Sequence, residues 1–183
     1  MGFNLPFDLS RLAILFSKAR KMDNAFSLKL SENIKYPRLI IKHIDSTKAF
    51  IQFTNSFSRK LGNVRLKRGR ASKFRGNFLD LRTLTFALTN EKHTLESACE
   101  HFNTQHYKKH SQSHGKITPE YIDYNRNDVL ATYELYLKLK EEFEKYHLHI
   151  LITKVYSPAS IGKVYLDAMG IKSFTDKNPD FPK

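Results

Sequence analysis

The stretch from Pro119 to about Tyr146 has no proline or glycine after its first residue, and apolar side chains recur through it at Ile122, Val129, Ala131, Tyr133, Leu135, Tyr136, Leu139 and Phe143. Nothing there breaks a helical hydrogen-bond ladder, and the apolar spacing stays near 3.6 residues, so one long helix is predicted. Two shorter runs, Arg38 to Ile44 and Ala49 to Phe53, are rich in β-branched and aromatic residues. The polar Asp45-Ser46-Thr47-Lys48 between them reads as the turn of a β-hairpin. A third strand is expected from Asn77 to Leu81. Helices are expected over Phe7 to Lys21, where Leu9, Leu12, Ala13, Leu15 and Phe16 follow a helical spacing, and over Thr94 to Phe102, opened by a Thr94–Ser97 cap. After an apolar run from His149 to Val155, the turn Ser157-Pro158-Ala159-Ser160 leads into a short helix ending near Met169-Gly170 and then a polar tail. Strands mixed with helices place the chain in the α/β class.

The chain has 183 residues, enough for one domain with a sizeable core, and 40% of them are hydrophobic. Its formal net charge is +13. So large a positive excess points to a polyanionic partner, nucleic acid before an acidic membrane surface. No apolar run reaches the roughly 18 residues that span a bilayer, and Asp8 and Arg11 interrupt any signal-peptide core, so an intracellular protein without a membrane partner is expected. Cys99 is the single cysteine. It supplies neither an internal disulfide nor a CxxC zinc pair and reads as a buried thiol.

Two motifs carry chemistry. Near the start, Asn4-Leu5-Pro6-Phe7-Asp8 is an N-x-x-F-D sequence running into a helix; on the long helix, Tyr124-Asn125-Arg126-Asn127-Asp128 is a Y-x-x-x-D sequence. Residues four apart on a helix lie one turn above each other on the same face, so the Tyr124 phenol and the Asp128 carboxylate can address one site. In phosphodiester hydrolysis by two metal ions about 4 Å apart, carboxylates hold the cations while another group orients the attacking water. Asp128 fits the ligand role and Tyr124 the orienting role. Taken alone, the pattern also fits a tyrosine packed beside a solvated aspartate, and Phe7 also fits ordinary core packing.

The order of these motifs, with Ile117-Thr118-Pro119-Glu120 leading into the second, resembles the 3′-to-5′ proofreading exonuclease domain of family B DNA polymerases, closest to the protein-primed branch. The resemblance spans roughly residues 2 to 172, although only the two motif regions are specific. It implies a ribonuclease H-like fold, incomplete at its N-terminus, with a β-hairpin and a long C-terminal helix. Residues 1–148 would form the partial exonuclease domain and residues 149–183 a connector or tail leading toward a polymerase palm. It further implies Asp8, Tyr124 and Asp128 as catalytic residues, with Asp8 and Asp128 holding Mg2+ or Mn2+. Asn4 and Phe7 would contact a frayed single strand, and Thr83 and Leu84 loosely match a Ser/Thr-Leu motif with the same task.

The family's first motif, D-x-E on a preceding strand, is absent: none of the aspartates is followed two residues later by glutamate. Two carboxylates do not easily hold two magnesium ions, each of which demands near-octahedral oxygen coordination. The chain alone is therefore expected to be a poor nuclease with exposed sheet edges and an exposed apolar face, its missing strands supplied, if at all, by a separate chain. A polymerase domain on another chain is an alternative partner. Arg59, Lys60, Arg65, Lys67, Arg68, Arg70, Lys73 and Arg75 follow one another with no acid among them. Such a run is either a solvated loop or a phosphate track for single-stranded DNA, and Arg65, Lys67, Arg68, Arg70, Lys73 and Arg75 are assigned to the track. His106, His110 and His114 lie in a polar setting that reads as a loop and not a metal site. Three functions remain: an exonuclease needing further carboxylates, a catalytically dead single-stranded nucleic-acid-binding module, or a polymerase gene remnant.

Overall fold

A computed structural model of the chain describes residues 1–20, 22–33, 36–54, 76–108, 117–172 and 174–178. The basic run from Arg59 to Arg75, including Arg65, Lys67, Arg68, Arg70 and Lys73, lies outside the described residues, as do His110 and His114.

The chain opens with helix α1 (Leu5–Leu12) and continues into a meander of four short strands, β1 (Leu15–Lys18), β2 (Ala25–Lys29), β3 (Leu39–His43) and β4 (Ala49–Phe53). They form one antiparallel sheet in the order β1-β2-β3-β4. Leu15 pairs with Lys29, Phe26 with Ile41, and Ile41 with Ile51. The hairpin read from the sequence is present as β3 and β4. Its turn is held by one carboxylate oxygen: Asp45 Oδ1 accepts from the Thr47 and Lys48 amides and from the Thr47 hydroxyl, at 2.8, 2.9 and 2.7 Å. The Lys48 ammonium, 2.8 Å from the other oxygen, leads in holding the Asp45 carboxyl far below the usual carboxylate range, and these bonds add to it.

Helices fill the second half: α2 (Leu81–Thr89), α3 (Leu95–His101), α4 (Pro119–Glu144), α5 (Pro158–Ala168) and a short α6 (Phe174–Lys177). The long helix matches the sequence pattern closely, with Thr118 accepting from the Tyr121 amide as its N-cap. One of its faces, Asn127, Ala131, Leu135, Leu139 and Phe143, is buried at intervals of four. Ile122, Val129, Tyr133 and Leu137 project from the other side, largely exposed. No helix among the described residues is long and apolar enough to cross a membrane.

Two cores result. Leu9 of α1 packs with Leu28, Leu39, Ile41 and Ala49 of the sheet, and Leu81, Leu84, Cys99, Leu135 and Leu139 anchor a helical core. Val155 and Ile161 belong to that helical core too, so the segment read as a connector packs against the same residues as the segment before it. Cys99 is buried there, as expected. Burial, the largest cause, pushes its thiol pKa up, and nearby carboxylates add to the shift.

Three expectations need correction. The first helix ends at Leu12, and Leu15 and Phe16 lie in β1, where Phe16 is largely exposed. Both residues suit a strand as well as a helix, and pairing with β2 decides between them. Asn77 to Leu81 is not a strand of the sheet; a single parallel bridge joins Gly2 to Asp80, and Leu81 already begins α2. The Asp80 side chain ends the extended segment there, because it accepts from the Thr83 amide and starts a helix. Pro158 to Ser160, read as part of a turn before the last helix, already belong to α5, which Ser157 opens with a capping box to Ser160 and Pro158 at the first position.

Candidate functional site

Asn4 takes up the left-handed conformation at φ 66°, one of the few non-glycine residues able to do so cheaply, and this bend points the chain into α1. Its side chain makes no capping bond; the start of α1 is capped from a distance, by Asp80 Oδ1 accepting from the Leu5 amide at 2.9 Å. The other oxygen of Asp80 accepts from the Thr83 amide at 3.2 Å and from the Thr83 hydroxyl at 2.7 Å. One buried carboxylate thus caps two helices, and Gly2 runs beside it, bonded through backbone groups to Leu79 and Leu81. Any Cβ at Gly2 would come within 2.8 Å of the Leu5 side chain, so this close approach requires glycine unless Leu5 shifts.

Asp8, one turn into α1, stands beside this arrangement. Much of the residue is exposed, but partial shielding of its carboxyl and then the charge of Asp80 push its pKa upward. Phe7 is 52% exposed, and the Arg11 guanidinium lies 4.8 Å from its ring centroid. An exposed ring backed by a cation is a surface on which a nucleobase can stack. Thr83 and Leu84 offer no such surface. Leu84 is fully buried in the helical core, and the Thr83 hydroxyl is engaged with Asp80.

The second motif lies on α4. Tyr124 and Asp128, four residues apart on α4, share one face. Burial first, then the Asp128 carboxylate, raise the Tyr124 pKa. One oxygen of that carboxylate, Asp128 Oδ1, is buried and meets no hydrogen-bond partner among the described residues. A buried, unpartnered carboxylate oxygen is costly unless a proton donor or a cation meets it, so Asp128 fits a metal-ligand role. The adjoining turn is fixed: Asn127, buried, donates to the Tyr107 carbonyl, and Glu134 accepts from the Gln105 and His106 amides, both at 2.9 Å.

Asp80 is the neighbouring charge that acts on the Asp8 carboxyl. Among the described residues, no cluster of three metal-binding side chains contains Asp8 or Asp128. Asp128 alone therefore fits a magnesium or manganese ligand by its surroundings, and the described side chains do not amount to a two-metal site. Sequence reading missed Asp80 and Arg11. The D-x-x-T spacing of Asp80 and Thr83 marks an N-cap, and Arg11 sits one turn from Phe7, so both carried a readable signal.

A family model described as DNA polymerase type B, organellar and viral, matches residues 77–165, just under half of the chain. The match takes in α2, α3 and α4, with Tyr124 and Asp128 inside it, and leaves Asn4 to Asp8 outside. The chain is similar to family B DNA polymerases over that region. No curated protein and no solved structure matches it.

Proposed function

We propose that the chain is a polymerase-associated domain of the 3′-to-5′ exonuclease type, with a ribonuclease H-like ancestry, that engages the ends of single-stranded DNA. Asp128 would hold one Mg2+ or Mn2+ ion, Tyr124 would orient the attacking water, and Asp8 would add charge compensation. The exposed Phe7–Arg11 pair and Asn4 would receive a base and its sugar-phosphate, while the run from Arg65 to Arg75 would track the backbone. When bound, the metal ions would supply the Lewis acidity that activates water and stabilises the leaving oxygen.

A second reading is a binding module without cleavage. It is favoured by the metal-binding side chains among the described residues, where no cluster of three contains Asp8 or Asp128. A 5′-labelled single-stranded oligonucleotide incubated with the chain and Mn2+ distinguishes the two. Shortening from the 3′ end that is abolished by Asp128→Ala and only reduced by Tyr124→Phe supports the exonuclease. Tight binding without shortening supports the module. Shortening at an unchanged rate in Asp128→Ala removes both residues from the active site.

A further inference from the structure

The loop between α2 and α3 and the last turn of α3 bring together Glu91, His93 and His101, whose ligand atoms all lie within 4.8 Å of one another. We propose that these three side chains bind a divalent transition-metal ion of the zinc class. The His93 side chain is only 8% exposed, and its Nε2, 3.7 Å from Glu91 Oε2, is shut from solvent without a hydrogen-bond partner among the described residues. A buried imidazole nitrogen aimed at a carboxylate and a second imidazole, and bonded to neither, is the arrangement a cation completes.

The ring is held for that purpose by its other nitrogen. Ser97 Oγ accepts from the Thr94 amide at 3.0 Å, donates toward the Thr94 carbonyl at 3.4 Å and lies 3.2 Å from His93 Nδ1. In the tautomer that places the hydrogen on Nδ1, the ring donates to Ser97 and the lone pair is left on Nε2. A hydrogen bond on the far nitrogen that fixes the tautomer is the usual outer support of a metal-binding histidine.

The backbone is set before any ion arrives. Asn90 ends α2 in the left-handed conformation, the Thr89 hydroxyl accepts from the Glu91 amide at 3.1 Å, and the Thr94–Ser97 capping box opens α3. His101, in the last turn of α3, packs edge-on against His93 with ring centroids 5.2 Å apart. Tetrahedral zinc places its ligands roughly 3.3 Å apart, so the exposed Glu91 and His101 must close by about 1 Å or more, within reach of side-chain rotation. Three protein ligands leave a fourth position for water. The mixed imidazole and carboxylate set selects zinc-like ions over magnesium, which prefers oxygen ligands alone.

The test uses the full chain, with Zn2+ followed by calorimetry and Co2+ followed by its visible absorption. One equivalent of Zn2+ is expected, unaffected by excess Mg2+, with Co2+ giving the intense visible bands of a four-coordinate ion. Because His93 is buried, the decisive variants are the exposed His101→Gln and Glu91→Gln. His101→Gln should weaken Zn2+ at least tenfold, Glu91→Gln should weaken it measurably, and both should keep the wild-type circular dichroism. A His110→Gln/His114→Gln double variant should bind as wild type. The proposal is overturned if no saturable one-equivalent binding occurs, if His101→Gln binds like wild type, or if the His110/His114 variant is the one that loses the ion.

Discussion

Replacing Asp80 by alanine removes one carboxylate and three hydrogen bonds, those from the Leu5 amide, the Thr83 amide and the Thr83 hydroxyl. Each helix loses its N-terminal cap, a change that costs typically ~1 kcal/mol and up to about 2. Relief of the repulsion with Asp8 returns only a few tenths, since Asp8 is largely exposed. The net expectation is a loss of about 2–4 kcal/mol, which in a domain of this size lowers the melting temperature by roughly 5–15 °C. Asp80→Asn should fall between, because its single side-chain carbonyl can cap one helix and not both. Thermal unfolding followed by circular dichroism gives the shift, and NMR titration of Asp8 gives a second readout. Its pKa should drop part of the way in both variants, since shielding, the larger cause, remains. Because the folded-state pKa of Asp8 is raised, its contribution favours folding at low pH and is lost as pH rises from the usual carboxylate value through the folded one. A melting temperature within about 2 °C of wild type in Asp80→Ala, with the Asp8 pKa unmoved, would refute the double-cap account.

Leu84→Ala should destabilise the chain by roughly 2–5 kcal/mol, because Leu84 is fully buried, while the DNA affinity of the folded fraction stays the same. Weakened binding at wild-type stability would instead return Leu84 to the DNA interface. Changing Arg65, Lys67, Arg68 and Arg70 together to alanine should flatten the salt dependence of single-stranded DNA binding by up to about four counterions' worth of slope, and an unchanged slope excludes them from the phosphate track. Asp128→Asn should lower the Tyr124 pKa in an ultraviolet titration, since it removes a negative charge. In wild type, the raised Tyr124 pKa keeps the phenol protonated longer when folded, so its contribution to stability declines as pH climbs from the ordinary tyrosine value through the folded one. A Tyr124 titration identical in the two proteins contradicts that contact.

The long helix and the β3–β4 hairpin were legible because local rules and tertiary packing agree there. Residues 120–144 carry no breaker, and Asp45 closes its turn with its own side chain. Leu15 and Phe16 were misread because a four-residue strand leaves too few positions to separate a period of two from 3.6. Asp80 was hidden for a different reason. Its bond to Leu5 joins residues 75 apart in the chain, and no local pattern reveals that one cap serves two helices. At the site, the Tyr124–Asp128 pair followed from helix geometry alone. The effect of Asp80 on Asp8 did not, since that depends on how α1 docks against the start of α2.

The central claim is that Asp128 and Tyr124 form a cation-dependent site for the end of a single strand. Mn2+ titrated into the isotopically labelled chain, with and without a short single-stranded oligonucleotide, tests it through paramagnetic broadening of amide resonances. His101→Gln as the background keeps the α2–α3 loop from contributing. The account predicts broadening centred on residues 124–128, enhanced by the oligonucleotide and lost in Asp128→Asn with the remaining spectrum intact. Broadening that spares this turn, or that persists unchanged in Asp128→Asn, contradicts it.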